Sequence, residues 1–274
     1  MDSQVEATIA EALRDDGLLV VLTGAGISAE SGVPTFRGPE GYWTVGSRNY
    51  QPQELATAAA FARMPDEIWR WYLYRRSVCR AAAPNAGHRA LVELDEALGD
   101  RFVLITQNVD GLHLRAGSPI EHTLQIHGNI DFLRCARACS SELTPIPDAI
   151  TPKTKDDPLP AHELALLRCP KCGGRGRPHV LWFDEYYDEE LFKAESAMAA
   201  AADAALLVVV GTAGATNLPQ QIARRVARSG RPIIDINIDD NPFAELAEST
   251  GGHALRSSAC ASLPELAAAI IASC

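Results

Sequence analysis

A chain of 274 residues, 47% of them apolar and with a formal charge of -10, is long enough to bury a sizeable core, either as one large α/β domain or as a domain carrying a small inserted module. The acidic balance offers no basic face to phosphates, which argues against nucleic acid as a partner, and no apolar stretch approaches the length needed to span a membrane. The opening MDSQVEATIAEALRDDG lacks the basic start and apolar centre of a signal peptide, so a cytoplasmic protein is expected. In a reducing compartment, two close pairs of cysteines point to metal before disulfides.

Taken in order, residues 3–14 predict an amphipathic helix and Leu18 to Leu22 a short apolar strand buried on both faces, as in a parallel sheet. Gly24, Ala25, Gly26 and Ser28 follow in a turn whose successive N–H groups, ahead of a helix, can cradle phosphate oxygens, and Arg37 can add a charge-assisted contact. The spacing is neither G-x-G-x-x-G nor a P-loop. Gly38 to Pro52 predicts a mobile loop able to close over a ligand. Residues 53–62 and 66–82 predict helices, the second crowded with Trp69, Trp71, Tyr72 and Tyr74, and Pro84-Asn85 caps a third from about Ala86 to Leu98. The strand Arg101 to Thr106 then delivers Gln107, Asn108 and Asp110 at its carboxyl end, where ligands of doubly wound sheets bind.

Thr123 to His127 predicts a short strand, and from Phe132 the composition changes. Cys135-Ala-Arg-Ala-Cys139 and Cys169-Pro-Lys-Cys172 enclose a proline-rich, charged segment, Ser140 to Arg168, which predicts an inserted module with a long loop. Four sulfurs satisfy tetrahedral zinc without water, so Cys135, Cys139, Cys169 and Cys172 predict a closed, structural site. Beyond it come a strand at Leu181 to Phe183, a helix at 188–202, a strand at Ala205 to Val210, a helix at 217–229, a strand at Ile233 to Ile238 and a helix from Leu263 to Ala272. This alternation predicts an α/β fold with a Rossmann-type parallel sheet covered on both faces. The expected organisation is a nucleotide-binding domain made of 1–131 and 176–274, with a helical insertion at about 39–85, and a small zinc-binding module at 132–175.

The stretch GAGISAESGVPTFRG, Gly24 to Gly38, resembles the NAD-binding signature of the sirtuins, the NAD-dependent protein deacylases. Gln107-Asn108-Val109-Asp110 and Gln125-Ile126-His127-Gly128 resemble further motifs of that family in the same order, and the likeness runs from about Gly17 to Leu266. It implies an NAD site made of Gly24, Ala25, Gly26, Ser28, Phe36, Arg37, Gln107, Asn108, Asp110, Gly211, Thr212, Ala213, Asn237 and Ala259. By the same likeness, acyl-lysine oxygen attacks C1' of the nicotinamide ribose, nicotinamide leaves, and His127 is the base that activates a ribose hydroxyl, so that hydrolysis gives free lysine and O-acyl-ADP-ribose. Asn108 would position ribose and water, Asp110 would hold the carboxamide, and Phe36 would shield the reacting carbon.

Three departures from the family pattern stand out. The first cysteine pair has one intervening residue more than usual, Ala213 replaces a usual Ser, and Asp184 replaces a usual Gly in Val180-Leu-Trp-Phe183-Asp184, the stretch resembling the one that pairs with a substrate backbone. Tyr72 and Arg75, three apart on a predicted helix, resemble the Tyr-x-x-Arg of the sirtuins that remove malonyl, succinyl and glutaryl groups, and Ala56 matches the small residue that widens that pocket. The resemblance thus implies a desuccinylase or demalonylase, with deacetylation also open, acting on acylated-lysine proteins with NAD and zinc. An ADP-ribosyltransferase or NAD hydrolase, which cleave the same glycosidic bond, is the first alternative, and a non-catalytic NAD sensor the second.

Overall fold

The computed structural model describes residues 1–35 and 52–273. Phe36, Arg37 and nearly all of the expected loop Gly38 to Pro52 lie outside the described residues. Helix α1 (Ser3–Ala12), started by the Asp2 carboxylate accepting from Gln4 N at 2.8 Å, leads to strand β1 (Leu18–Thr23) and the short helix α2 (Gly26–Ala29). The region expected as one helix from 53 to 62 is two, α3 (Pro52–Leu55) and α4 (Ala58–Arg63), because Thr57 is extended and its hydroxyl accepts from Ala60 N as a new N-cap. After α5 (Pro65–Ala81), α6 (Ala86–Leu98) starts where Pro84-Asn85 predicts, and its cap is reciprocal. Asn85 Oδ1 accepts from Gly87 N at 3.0 Å, and His88 Nδ1 accepts from Asn85 N at 3.3 Å.

Strand β2 (Phe102–Thr106), helix α7 (Leu112–Ala116) and strand β3 (Thr123–Gln125) come next, followed by β4 (Gly128–Cys135), β5 (Thr144–Pro145), α8 (Ala161–Leu166) and β6 (Gly176–Val180). The strand expected at Leu181 to Phe183 is therefore β6, ending before it: Arg177 and His179, which hide it from an apolar reading, are buried in it, Arg177 paired with Glu185 and the His179 ring stacked on Phe192. The helix expected at 188–202 breaks at Lys193, whose φ is 52°, into α9 (Glu189–Phe192) and α10 (Ala194–Asp203). Strand β7 (Ala204–Val210), α11 (Asn217–Arg228) and β8 (Ile233–Asn237) match expectation closely. Helix α12 (Pro242–Ser249) and edge strand β9 (His253–Arg256) were not foreseen, and α13 (Ala259–Ser273) starts four residues before the expected Leu263.

The six-stranded sheet has the order β3-β2-β1-β7-β8-β9 with every pairing parallel, so the chain turns back on itself at the β1–β7 neighbourhood. That is the Rossmann arrangement, with the crevice for a ligand at the carboxyl ends of β1 and β7. Leu19, Val20, Val21 and Leu22 are all fully buried because both faces of β1 are covered, Leu19 and Val21 by the cluster under α1, α6 and α13 and Val20 and Leu22 by the one under α10, α11 and α12. Each such side chain contributes about 1.5–3 kcal/mol by leaving water. A second, antiparallel sheet of order β5-β4-β6 starts at Gly128 and returns at Val180, so it reaches past both edges of 132–175. Its apolar face (Ile130, Leu133, Val180) packs in one cluster with Leu55, Ala56, Tyr72 and Trp182 from the helical insertion and the loop after β6. Among the described residues, no helix is long and apolar enough to cross a membrane.

Candidate active site and metal centre

Strand ends bring the predicted polar residues together. The loop after β1 lies against the loop after β7 closely enough that a Cβ on Gly26 would sit 2.6 Å from Gly211 Cα, and one on Gly24 2.6 Å from Thr212 Cβ. Glycine is what lets these loops touch, and the contact is tied by Gly26 N donating to Gly211 O at 2.8 Å. Asn237, at the end of β8, donates to Thr212 O at 2.9 Å, and Gln107 donates to Thr212 Oγ1 at 2.9 Å. Four strand ends, those of β1, β2, β7 and β8, thus share one hydrogen-bonded floor. Ala213 is exposed beside it, and Ala259 is the buried first residue of α13.

Beneath the floor a buried network holds the residues after β2. Asn108 donates from Nδ2 to Gly24 O at 3.1 Å and to Ser28 Oγ at 3.2 Å, while Ser28 Oγ donates to Asp110 Oδ2 at 2.7 Å. Asp110 Oδ1 also accepts from Leu112 N at 2.8 Å, yet burial still pushes this carboxyl above its usual range. His88, which the sequence presents only as structural, stands 3.4 Å from Ser28 Oγ and is held down to about 4 by burial, so it is neutral and fixes the network from below. His113 likewise is structural, bonded to Thr23 Oγ1 at 3.0 Å.

His127 follows β3 and is half-buried at the rim of this network. Its Nδ1 is 3.0 Å from Gln107 O and its Nε2 2.8 Å from the hydroxyl of Tyr187. A carbonyl only accepts, so the ring proton is on Nδ1 and Nε2 keeps its lone pair. Burial lowers its pKa to about 4, against the raising pull of the Gln107 carbonyl, so at pH 7 the imidazole is neutral with its lone pair on Nε2. Tyr187 was missed in the sequence because nothing in Glu185-Tyr-Tyr187-Asp marks it, and its partner is 60 residues away.

The second constellation lies where the helical insertion meets β6. Tyr72 and Arg75 are buried, 1% and 3% exposed, rather than displayed on a surface helix. The Arg75 guanidinium lies 4.7 Å over the Trp71 ring and 5.4 Å over Tyr72, and the Tyr72 hydroxyl accepts from Trp182 Nε1 at 2.8 Å, leaving its own proton to donate. Ala56 joins the same cluster, and Phe183 N donates to Ala56 O at 3.1 Å. Asp184 turns toward the helix rather than into open space: its oxygens accept from Ala58 N at 2.7 Å and Ala59 N at 3.1 Å, at the positive end of α4. Arg177 stacks 3.5 Å over Trp182 and is held by both oxygens of Glu185, which fixes the indole under Tyr72.

The Sγ atoms of Cys135, Cys139, Cys169 and Cys172 all lie within 4.8 Å of one another, with Cys135–Cys172 at 3.6 Å and Cys139–Cys169 at 3.5 Å. Zinc–sulfur bonds of about 2.3 Å in a tetrahedron place sulfurs about 3.8 Å apart, so the four fit zinc. The extra residue in the first pair is absorbed by Ala138, which takes the left-handed conformation at φ 50°. Backbone amides of the loops hold the Cys135 thiol down to about 6 and lower Cys169 as well, whereas neighbouring sulfurs push Cys139 up to about 12. A divalent cation relieves that crowding of negative charge. These four cysteines would hold the zinc.

Comparison with known proteins agrees with this geometry. A profile described as "Sir2 family" matches residues 24–217. The chain is similar to an NAD-dependent protein deacylase 2 of Pyrobaculum aerophilum, 42% identical over 240 residues that cover 88% of this chain and 87% of that protein. It is 39% identical over 239 residues to the NAD-dependent protein deacylase sirtuin-5, mitochondrial, of Danio rerio, covering 83% of this chain and 76% of that protein. Among solved structures, a Sir2 homologue in complex with NAD superposes with a TM-score of 0.80 at 35% identity, covering 98% of this chain and 94% of the other.

Proposed function

We infer the function from one premise: the chain belongs to the Sir2 family, the sirtuins. It is an NAD-dependent protein deacylase. NAD, when bound, supplies an ADP-ribosyl acceptor for the acyl group and nicotinamide as leaving group. In our reading this chain's own residues do the rest. The linked loops Gly24–Ser28 and Gly211–Ala213, with Gln107 and Asn237, carry the cofactor, and Phe36 and Arg37 complete its site. Asn108 and Asp110, rigid through Ser28, orient the ribose and the carboxamide, and neutral His127 takes the proton of a ribose hydroxyl at Nε2. The adenosine half would rest against Ala259. The substrate backbone would add along Val180 to Asp184.

We further propose that the preferred acyl groups on lysine carry a carboxylate, as malonyl and succinyl do. One observation supports this: Tyr72 and Arg75, a hydroxyl donor and a guanidinium, are stacked together within the cluster that contains Ala56 and Val180. An Arg fork meets a carboxylate with two bonds and the phenol adds a third, whereas acetyl gains none of them. Because the Asp184 carboxylate is engaged by two amides of α4, its repulsion of an acyl carboxylate is blunted. Charge-assisted bonds of about 1.5–3 kcal/mol lead to a preference for succinyl over acetyl of roughly ten- to a hundredfold in kcat/KM. The test compares succinyl-, malonyl- and acetyl-lysine peptides on the parent and on Arg75→Met. The variant should lose the preference while keeping acetyl turnover, and a parent that favours acetyl, or a variant that keeps its succinyl rate, removes the carboxylate assignment.

A further inference from the structure

We propose that Tyr187 is a gate on His127: its hydroxyl occupies the one lone pair through which the imidazole can accept a proton, and it must leave before a substrate hydroxyl can dock there. This rests on the reading of His127 as the base. A neutral imidazole has one N–H and one lone pair, and the Gln107 carbonyl 3.0 Å from Nδ1 takes the N–H. The lone pair on Nε2 is therefore spent on Tyr187, whose hydroxyl is 2.8 Å away and can only be the donor. Burial keeps this phenol protonated, with its pKa pushed up to about 12. A ribose hydroxyl giving its proton to Nε2 needs the same place on the ring, and one lone pair cannot serve two donors.

The surroundings suit a group that moves in and out. Tyr187 closes the loop between β6 and α9, next to Tyr186, which is 91% exposed, and just before Asp188, which caps α9 by accepting from Leu191 N. Thr216 donates to Gln107 Oε1 at 3.1 Å, the side chain of the residue whose carbonyl holds Nδ1 of His127. The segment that ends at Tyr187 is the one that begins at Val180 and Asp184, so the proposed peptide-binding stretch and the gate share a single loop. The charged groups of the neighbouring elements are committed elsewhere: Glu185 to Arg177 and Arg134, Asp188 to the α9 amide, and Asp110 to Ser28.

The contact stabilises the neutral ring only, so its removal should make His127 easier to protonate. In Tyr187→Phe without NAD, the His127 pKa read by NMR titration of the imidazole should rise by about half to one pH unit, and NAD should bind roughly two- to tenfold more tightly by calorimetry, the span of one neutral hydrogen bond. The acid limb of the kcat/KM profile should move up with the His127 pKa. Tyr187→Leu, which also removes the ring, should change both readouts in the same direction and guards against an effect of one substitution alone. An unchanged His127 pKa, or NAD binding that is unchanged or weaker in both variants, overturns the gate. His127→Ala, assayed in parallel, separates the two ideas: if it is inactive while Tyr187→Phe behaves like the parent, only the gate falls, and if it turns over normally, the base and the gate fall together.

Discussion

Replacing His127 by Ala should lower deacylation by roughly 10²- to 10⁴-fold, the usual contribution of a positioned general base, and leave NAD affinity within a few-fold of the parent. The asymmetry comes from where the residue stands. Its polar contacts are the Gln107 carbonyl and the Tyr187 hydroxyl, neither of which belongs to the linked glycine loops proposed to carry the cofactor. The loss should appear in kcat, measured by peptide turnover, with binding of NAD measured separately by calorimetry. Near-normal turnover would assign the base to another residue. His88 and His113 are poor substitutes, because both are buried and bonded to the scaffold, one to the Asn85 cap and Ser28, the other to Thr23.

Loss of zinc should have the next largest effect, because the module has little else to hold it. Between Cys139 and Cys169 the buried apolar residues are few, Ile146, Ile150 and Leu167, and they belong to the cluster shared with the helical insertion rather than to a core of their own. Structural zinc contributes on the order of 10 kcal/mol to domains of this kind. Cys172→Ala, or prolonged chelation, should therefore strip protection from hydrogen exchange over Gly128 to Val180 while the six-stranded sheet keeps its own. Deacylation should fall with it, since β6 and the loop after it carry Val180 and Trp182 against Tyr72. Elemental analysis should find about one zinc per parent chain. Purified protein with far less zinc and full protection of β4 and β6 would contradict the structural role.

Much of this was legible in the sequence where one physical requirement dominates. Strands β1, β2 and β7 are buried on both faces, so LLVVLT, FVLIT and AALLVVV read as strands without help from their neighbours. Strand β6, GRPHV, does not, because its Arg177 and His179 are acceptable in the interior only once Glu185, Trp182 and Phe192 have been brought to them. Edge strand β9 is only half-buried and carries no strong pattern. In the site, the meeting of the loops after β1 and β2 was legible because both follow strands of one parallel sheet, and Asn108 does donate to Gly24 O. The roles of Asp184 and Tyr187 were hidden, since a carboxylate capping a helix 126 residues away, or a phenol on a histidine 60 residues away, exists only after the loop has folded over.

The most direct measurement incubates the purified protein with NAD and an acyl-lysine peptide and follows every product by mass spectrometry. Deacylation requires free-lysine peptide, nicotinamide and O-acyl-ADP-ribose to form in equal amounts, with no product when NAD is omitted. ADP-ribose attached to protein, or NAD consumed to free ADP-ribose while the peptide stays acylated, would instead mark a transferase or a hydrolase, and NAD bound but never consumed would mark a sensor.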